Sequence, residues 1–320
     1  MNLSNELVPW LHDSRVDIIQ LKKQQSLSHA LLLMGRDGGG HHQLAECLGR
    51  DILCQNTESD RACGECHSCH LVAANTHPDF HLLDGREESI KVDQIRSILG
   101  KITTKPQIGN SKFVFLAQAS SMNVNAANAI LKVLEEPPAE TFFILTSDAT
   151  ARLLPTIRSR CMLMKLPSPS ESETKKWLEQ LNLTEDLSSV FWVTQEPFTL
   201  SALAQSNKLL IYKELPNNLC RYLLGDCSID DVLAKLDSKN NIDFIRGMLA
   251  LSHQCICYST GEKNPNIEVL QECFDTLLAK LGIHKIIQCF QRLQELVDNS
   301  HKTHLNMQLQ LKSELIFWRS

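Results

Sequence analysis

Four cysteines, Cys54, Cys63, Cys66 and Cys69, are spaced C-x8-C-x2-C-x2-C along this chain of 320 residues. Thiolates set this close suit a soft, tetrahedral metal ion, and a set of four closes the coordination shell, leaving no position where water could be activated. The spacing predicts a structural zinc ion (Zn2+) in a turn-rich knuckle, with Cys54 arriving from the end of a preceding helix. His67 and His70 lie in the same run as competing ligands, and unmetallated thiols are the plain alternative. Ser59, Asp60, Gly64 and Ser68 suit the turns. The other eight cysteines, Cys47, Cys161, Cys220, Cys227, Cys255, Cys257, Cys273 and Cys289, are scattered and read as small buried apolar residues.

A second motif is the run Gly35-Arg-Asp-Gly-Gly-Gly40-His41-His42. In the phosphate-binding frame G-x-x-x-x-G-K-[ST], backbone amides cradle phosphates, the lysine neutralises charge and the hydroxyl holds Mg²⁺. Histidines stand at both working positions here, and a largely neutral imidazole replaces neither a fixed ammonium nor an oxygen ligand for Mg²⁺. The apolar run over 113–117 ends in Ala117-Gln118, where an ATPase presents an acidic pair to hold metal and polarise water. The two losses together mark Gly35, Gly40, His41 and His42 as a degenerate loop, with no ATP of its own expected and no hydrolysis. Glu135 and Glu136 read as a solvated helix end, because adjacent helical residues point about 100° apart. Pro78 and an expected strand keep His77 and His81 from acting as a helical metal pair.

These motifs need elements to position them. The apolar periodicity predicts a strand over 30–34, a helix over 42–53, a strand over 79–83, a helix over 92–102, a strand over 113–117, a helix over 124–134 and a strand over 141–146. Pro137-Pro138 stops the last helix. Alternating strands and helices predict an α/β layered domain with a mainly parallel sheet. Beyond Pro167 and Pro169 nearly every segment has helical periodicity. The expected division is 1–166, carrying the degenerate loop and the knuckle over 54–69, a small helical unit over 167–207, and a larger helical domain over 208–320. With 43% hydrophobic residues and a formal charge of -5, the chain has no general electrostatic pull towards nucleic acid. No apolar run approaches the roughly 20 residues needed to cross a membrane, and no secretory start is present, so a cytosolic protein with reduced thiols is expected.

Several stretches resemble the bacterial clamp-loader family within the AAA+ ATPases. They are His29-Ala-Leu-Leu-Leu, the cysteine knuckle, His77-Pro-Asp-Phe-His81, Ile90-Lys-Val-Asp-Gln-Ile-Arg96, Met122-Asn with Ala126-Ala-Asn-Ala-Ile-Leu-Lys-Val-Leu-Glu-Glu-Pro-Pro138, Thr156-Ile-Arg-Ser-Arg-Cys161, and the segment from Leu305-Asn306 to Trp318. The resemblance implies an AAA+ (P-loop NTPase-like) α/β domain with an inserted zinc knuckle, a small helical lid and an all-α collar that holds subunits in a ring. It also implies a non-hydrolysing stator that helps load the sliding clamp onto primed DNA. The implied partners are the motor (gamma/tau) subunits and the delta subunit, and through them the clamp and primed DNA. Pro9-Trp10, and Gln195-Glu-Pro-Phe198 without the arginine that the motor places nearby, agree with a stator.

By the same resemblance Arg160, in Ser159-Arg160-Cys161, is the residue with a catalytic role, an arginine finger offered in trans to ATP on the adjoining motor subunit. A planar, permanently charged guanidinium suits that task. Arg158 lies two residues away and competes for the assignment. Phe317 and Trp318 have two open readings, a subunit contact or burial within their own domain. The alternative function, an ATP-hydrolysing motor subunit, is opposed by His41-His42 and Ala117-Gln118. A free-standing zinc-dependent nucleic-acid-binding module is opposed by the acidic balance and the missing basic and aromatic stripe.

Overall fold

The structure, a computed structural model, describes residues 7–36, 38–56, 61–86, 88–148, 153–181, 183, 187–206, 208–233, 240–261, 270–300 and 306–319. Asp37, Ser59, Asp60, position 207 and Leu305 therefore lie outside the described residues. The chain divides into two compact units, one of residues 1–177 and 196–198 and the other of residues 178–195 and 199–320. The segment 167–207 contributes to both.

Five parallel strands form the sheet of the first unit: β1 (Ala30–Met34), β2 (Phe80–Asp84), β3 (Lys112–Ala117), β4 (Thr141–Ser147) and β5 (Met162–Lys165), in the order β2-β3-β4-β1-β5. Register pairs Leu32 with Leu145 and Leu83 with Leu116. Every residue of β1 and β3 is buried, as expected of parallel strands covered by helices on both faces. Four of the strands match the apolar runs of the sequence. The fifth, β5, was not expected, because its apolar run Met162-Leu-Met164 is only three residues long and none of the strand is fully buried at the sheet edge.

One face of the sheet packs on α4 (Val92–Ile102) and α5 (Val124–Glu135), through Ile95, Ile98 and Ile102 of the first and Ala126, Ala127, Ile130 and Leu134 of the second. Local sequence fixes their ends. The Lys91 N–H donates to Gln94 Oε1 at 2.7 Å, and the Ala126 N–H to Asn123 Oδ1 at 2.8 Å, satisfying amides that the first helical turn leaves open. The opposite face carries α2 (His41–Leu53), which follows the glycine loop, with α1 (His12–Lys23) beside it. At Gly49 an added Cβ would stand 2.5 Å from Phe80 Cε2 and 2.7 Å from Phe113 Cε1, so glycine is what lets α2 lie against these rings. Short helices α3 (His67–Ala73) and α6 (Pro155–Arg158) complete the unit, together with the first part of α7 (Glu171–Gln180) and the start of α8 (Pro197–Ala204).

The second unit is helical among its described residues: α9 (Leu209–Leu224), α10 (Ile229–Leu233), α11 (Asn241–Ser259), α12 (Gln271–Ser300) and α13 (Met307–Arg319). Gly282 interrupts α12 with φ 71° and ψ 157°. Trp318 is fully buried in this unit, and the Tyr222 hydroxyl donates to the Leu315 carbonyl at 2.9 Å. Phe317 lies under the Arg292 guanidinium, 4.3 Å from its carbon. No described helix is long and apolar enough to cross a membrane.

Candidate functional site

The glycine loop leaves β1 at the carboxyl edge of the parallel sheet, where open α/β sheets bind ligands, and opens α2. Gly40 caps the helix at φ 99°, a left-handed conformation suited to glycine. The loop is packed from both sides. On its inner side, at the position of the lysine in a working loop, the His41 side chain is 1% exposed. A Cβ added to Gly35 would stand 2.9 Å from His41 Cβ and 3.2 Å from Nδ1, so the imidazole lies directly against the turn. Outside it, the Trp10 indole donates to the Gly39 carbonyl at 2.9 Å, and Phe198 N–H to the Gly38 carbonyl at 3.0 Å. Trp10 also packs edge-on to Trp177, which in turn meets Phe198. The Gly39 amide donates back to the Arg36 carbonyl at 3.0 Å, an intraloop use of a group that would otherwise face a phosphate.

His42, at the Mg²⁺-ligand position, turns to the ends of the neighbouring strands. Its Nδ1 shares a hydrogen bond with Thr146 Oγ1 at 2.9 Å, and Thr146 Oγ1 accepts from the Gln118 amide at 3.1 Å. Gln118 Nε2 donates to Asp148 Oδ1 at 2.7 Å. Burial, with His41 and Arg86 adding positive charge nearby, pushes His42 down to about 3, so this ring is neutral at ordinary pH. The area where a hydrolysing site would gather lysine, hydroxyl and paired acids is thus a bonded polar network. Thr146 and Asp148 were not singled out in the sequence, because only the strand order brings β3 and β4 beside α2.

The four cysteines converge as their spacing predicts. Cys54 ends α2 and Cys66 caps α3, and their sulfurs lie with those of Cys63 and Cys69 within 4.8 Å of one another. Individual Sγ separations are 3.6 Å for Cys54–Cys63 and 4.0 Å for both Cys54–Cys66 and Cys63–Cys69. A tetrahedron with metal–sulfur bonds of about 2.3 Å has edges of about 3.8 Å, so the set fits a metal ion such as zinc. Amides of Cys63, Cys66 and Cys69 each donate to a cluster sulfur at 3.4 Å, which helps thiolates share a site. His67 and His70 are exposed, and the metal-competent cluster among the described residues contains the cysteines alone.

Outer contacts brace this knuckle. Asp51 Oδ1 accepts from Ala62 N–H at 2.7 Å, while its other oxygen accepts from Arg15 Nε at 2.7 Å. Ser68 Oγ donates to the Leu53 carbonyl at 2.6 Å and pairs with His77 Nε2 at 2.9 Å. The other nitrogen of His77 accepts from Asp79 N–H at 3.1 Å, so this histidine is a satisfied strut.

Arg160 follows α6, on the approach to β5. Its Nε donates to Glu135 Oε1 at 2.7 Å, its terminal nitrogen pairs with the same carboxylate, and Nη1 donates to the Thr156 carbonyl at 2.9 Å. Glu135, read from sequence as a plain helix end, is therefore the counterion of the arginine singled out. Both side chains are partly exposed, at 28% and 49%. Burial pushes the adjoining Cys161 thiol up to about 12, leaving it an inert packing group.

A strand, glycine turn and helix on a parallel sheet define a nucleotide-binding fold of the phosphate-loop type, here with the loop packed by its own chain. The chain is similar to DNA polymerase III delta-prime subunits, most strongly over its first half. The family model described as DNA polymerase III, delta subunit, matches residues 14–170. DNA polymerase III subunit delta' of Pseudomonas aeruginosa is 45% identical over 161 residues, 50% of this chain and 49% of that protein, so the chain spans about half the length of that relative. The subunit delta' of Buchnera aphidicola from Schizaphis graminum is 29% identical over 97% of this chain and 96% of its own length. Among solved structures, a gamma subunit-related protein of DNA polymerase III from Thermotoga maritima is 18% identical over 95% of this chain and 98% of its own, with a TM-score of 0.46.

Proposed function

We propose that this chain is a delta-prime stator of a bacterial clamp loader, an AAA+ fold that neither binds nor hydrolyses ATP and acts through its neighbours. The observation that carries the reading is the glycine loop. His41 lies against Gly35 where a lysine would reach phosphate, and Trp10 is bonded to Gly39. Ala117 and Gln118 stand where an acidic pair would hold metal. Its partners are the motor (gamma/tau) subunits and the delta subunit, within a cytoplasmic complex that places the sliding clamp on primed DNA. The lid over 167–207 and the collar over 208–320 complete the subunit.

Two sites serve that role. Cys54, Cys63, Cys66 and Cys69 hold a zinc ion that ties the end of α2 to α3, and with four sulfurs filling its shell the ion's contribution is structural. Arg160 acts in trans on ATP held by the adjoining motor subunit. Glu135 and the Thr156 carbonyl orient its guanidinium. Reaching a phosphate exchanges the partly exposed carboxylate for a second anion, a low-cost step because exposed ion pairs contribute about 0–1 kcal/mol.

The direct test is an equilibrium titration of the zinc-replete chain with a fluorescent ATP analogue and Mg²⁺. No saturable binding is expected. Tight binding with turnover would overturn the stator reading in favour of a motor subunit.

A further inference from the structure

Outside these sites, the helical unit brings together two cysteines distant in sequence. Cys220, on α9, and Cys273, in the first turn of α12, have their Sγ atoms 2.9 Å apart. The contact is reciprocal. Cys220 Sγ also approaches the Cys273 carbonyl at 3.8 Å, and Cys273 Sγ the Pro216 carbonyl of α9 at 3.6 Å, so each thiol faces the other helix. A disulfide bond is about 2.05 Å long, so less than about 1 Å of sulfur movement separates this pair from covalent contact. Both residues are half-buried, whereas Cys255 and Cys289 of the same unit are sealed in the core. A small disulfide can therefore reach Cys220 and Cys273 while those two stay protected.

We propose that Cys220 and Cys273 form a dithiol site which exchange with a low-molecular-weight disulfide, such as glutathione disulfide, converts into a cross-link between α9 and α12. The Cys220 thiolate attacks one sulfur of glutathione disulfide, and its S–S bond breaks to release one glutathione. Cys273 then loses its proton and attacks the Cys220 sulfur of the mixed disulfide, releasing the second glutathione. The two protein thiols give up two electrons and two protons, and the small disulfide is reduced to two thiols. The hydrogen bond shared with Cys273 holds the Cys220 thiol below the ordinary thiol range while Cys273 is raised, an asymmetry that makes Cys220 the attacking sulfur. The bond closes a long loop in the unfolded chain, so the oxidised protein should melt several degrees higher than the reduced one.

The test uses the full, zinc-loaded chain incubated with glutathione disulfide, alkylated with N-ethylmaleimide, digested and read by mass spectrometry. The expected product is a peptide pair joined through Cys220 and Cys273 that separates on reduction. Cys273→Ser should arrest the exchange, leaving glutathione attached to Cys220, and Cys220→Ser should abolish the joined pair. Full alkylation of both cysteines after incubation, or joining of either one to a different cysteine, would overturn the proposal. Because the product is mapped by position, oxidation at the zinc cysteines is counted separately.

Discussion

His42 is neutral in the folded protein because burial, with positive charge at His41 and Arg86 adding to it, pushes it from the ordinary 6.5 to about 3. Between these values the unfolded chain binds the extra proton, so the stability His42 contributes is complete above about pH 6.5 and is lost as pH falls towards 3. His42→Asn, which keeps a partner for Thr146 without a titrating ring, should show a shallower fall of melting temperature from pH 6.5 to pH 4. Equal slopes in the two proteins would assign the acid sensitivity elsewhere. At Arg160 the question is function. In a reconstituted clamp loader, Arg160→Ala should lower the DNA-stimulated ATPase rate at least about tenfold, in keeping with the large effects of arginine fingers. Glu135→Gln should leave most of that rate, since the Thr156 carbonyl still orients the guanidinium. An unchanged rate with Arg160→Ala would remove the residue from the mechanism.

At the scale of elements, the first unit depends on the close seating of α2 on the sheet. Gly49→Ala would push a methyl group to 2.5 Å from Phe80 and 2.7 Å from Phe113. Its destabilisation should be about 1–3 kcal/mol, the usual size for overpacking, measured by denaturant unfolding of the zinc-loaded protein. The same helix carries the glycine loop at its start and Cys54 at its end, so its placement governs both sites. That coupling gives the variant a second readout, a weaker zinc affinity than the parent. The strands and long helices were legible because apolar runs and 3.6-residue periodicity are local signals. β5 was not, because an edge strand four residues long offers only three consecutive apolar residues, too few to separate from a loop.

For the whole molecule, zinc should behave as part of the fold. Protein purified without chelator is expected to carry one zinc per chain by elemental analysis. Stripping it with a strong chelator should lower the melting temperature and expose the knuckle to proteolysis near residue 61, with recovery on adding zinc back. A stoichiometry near zero, with no change on chelation, would leave four packed thiols and no metal.

The residues themselves determined that a metal-competent knuckle lies in the first domain and that the phosphate loop lacks its lysine, its hydroxyl and its acids. Those are statements about residue types at short spacing, and a linear chain displays them directly. What only the tertiary structure decided is how the sites are filled and held: Trp10 and Phe198 packed on the glycine loop, His42 bonded to Thr146, which Gln118 joins to Asp148, and Glu135 paired with Arg160. Trp10 reaches Gly39 across 29 positions, Gln118 reaches Asp148 across 30, and Glu135 meets Arg160 across 25. Contacts of that range depend on strand order and helix packing, for which no residue spacing carries a signature.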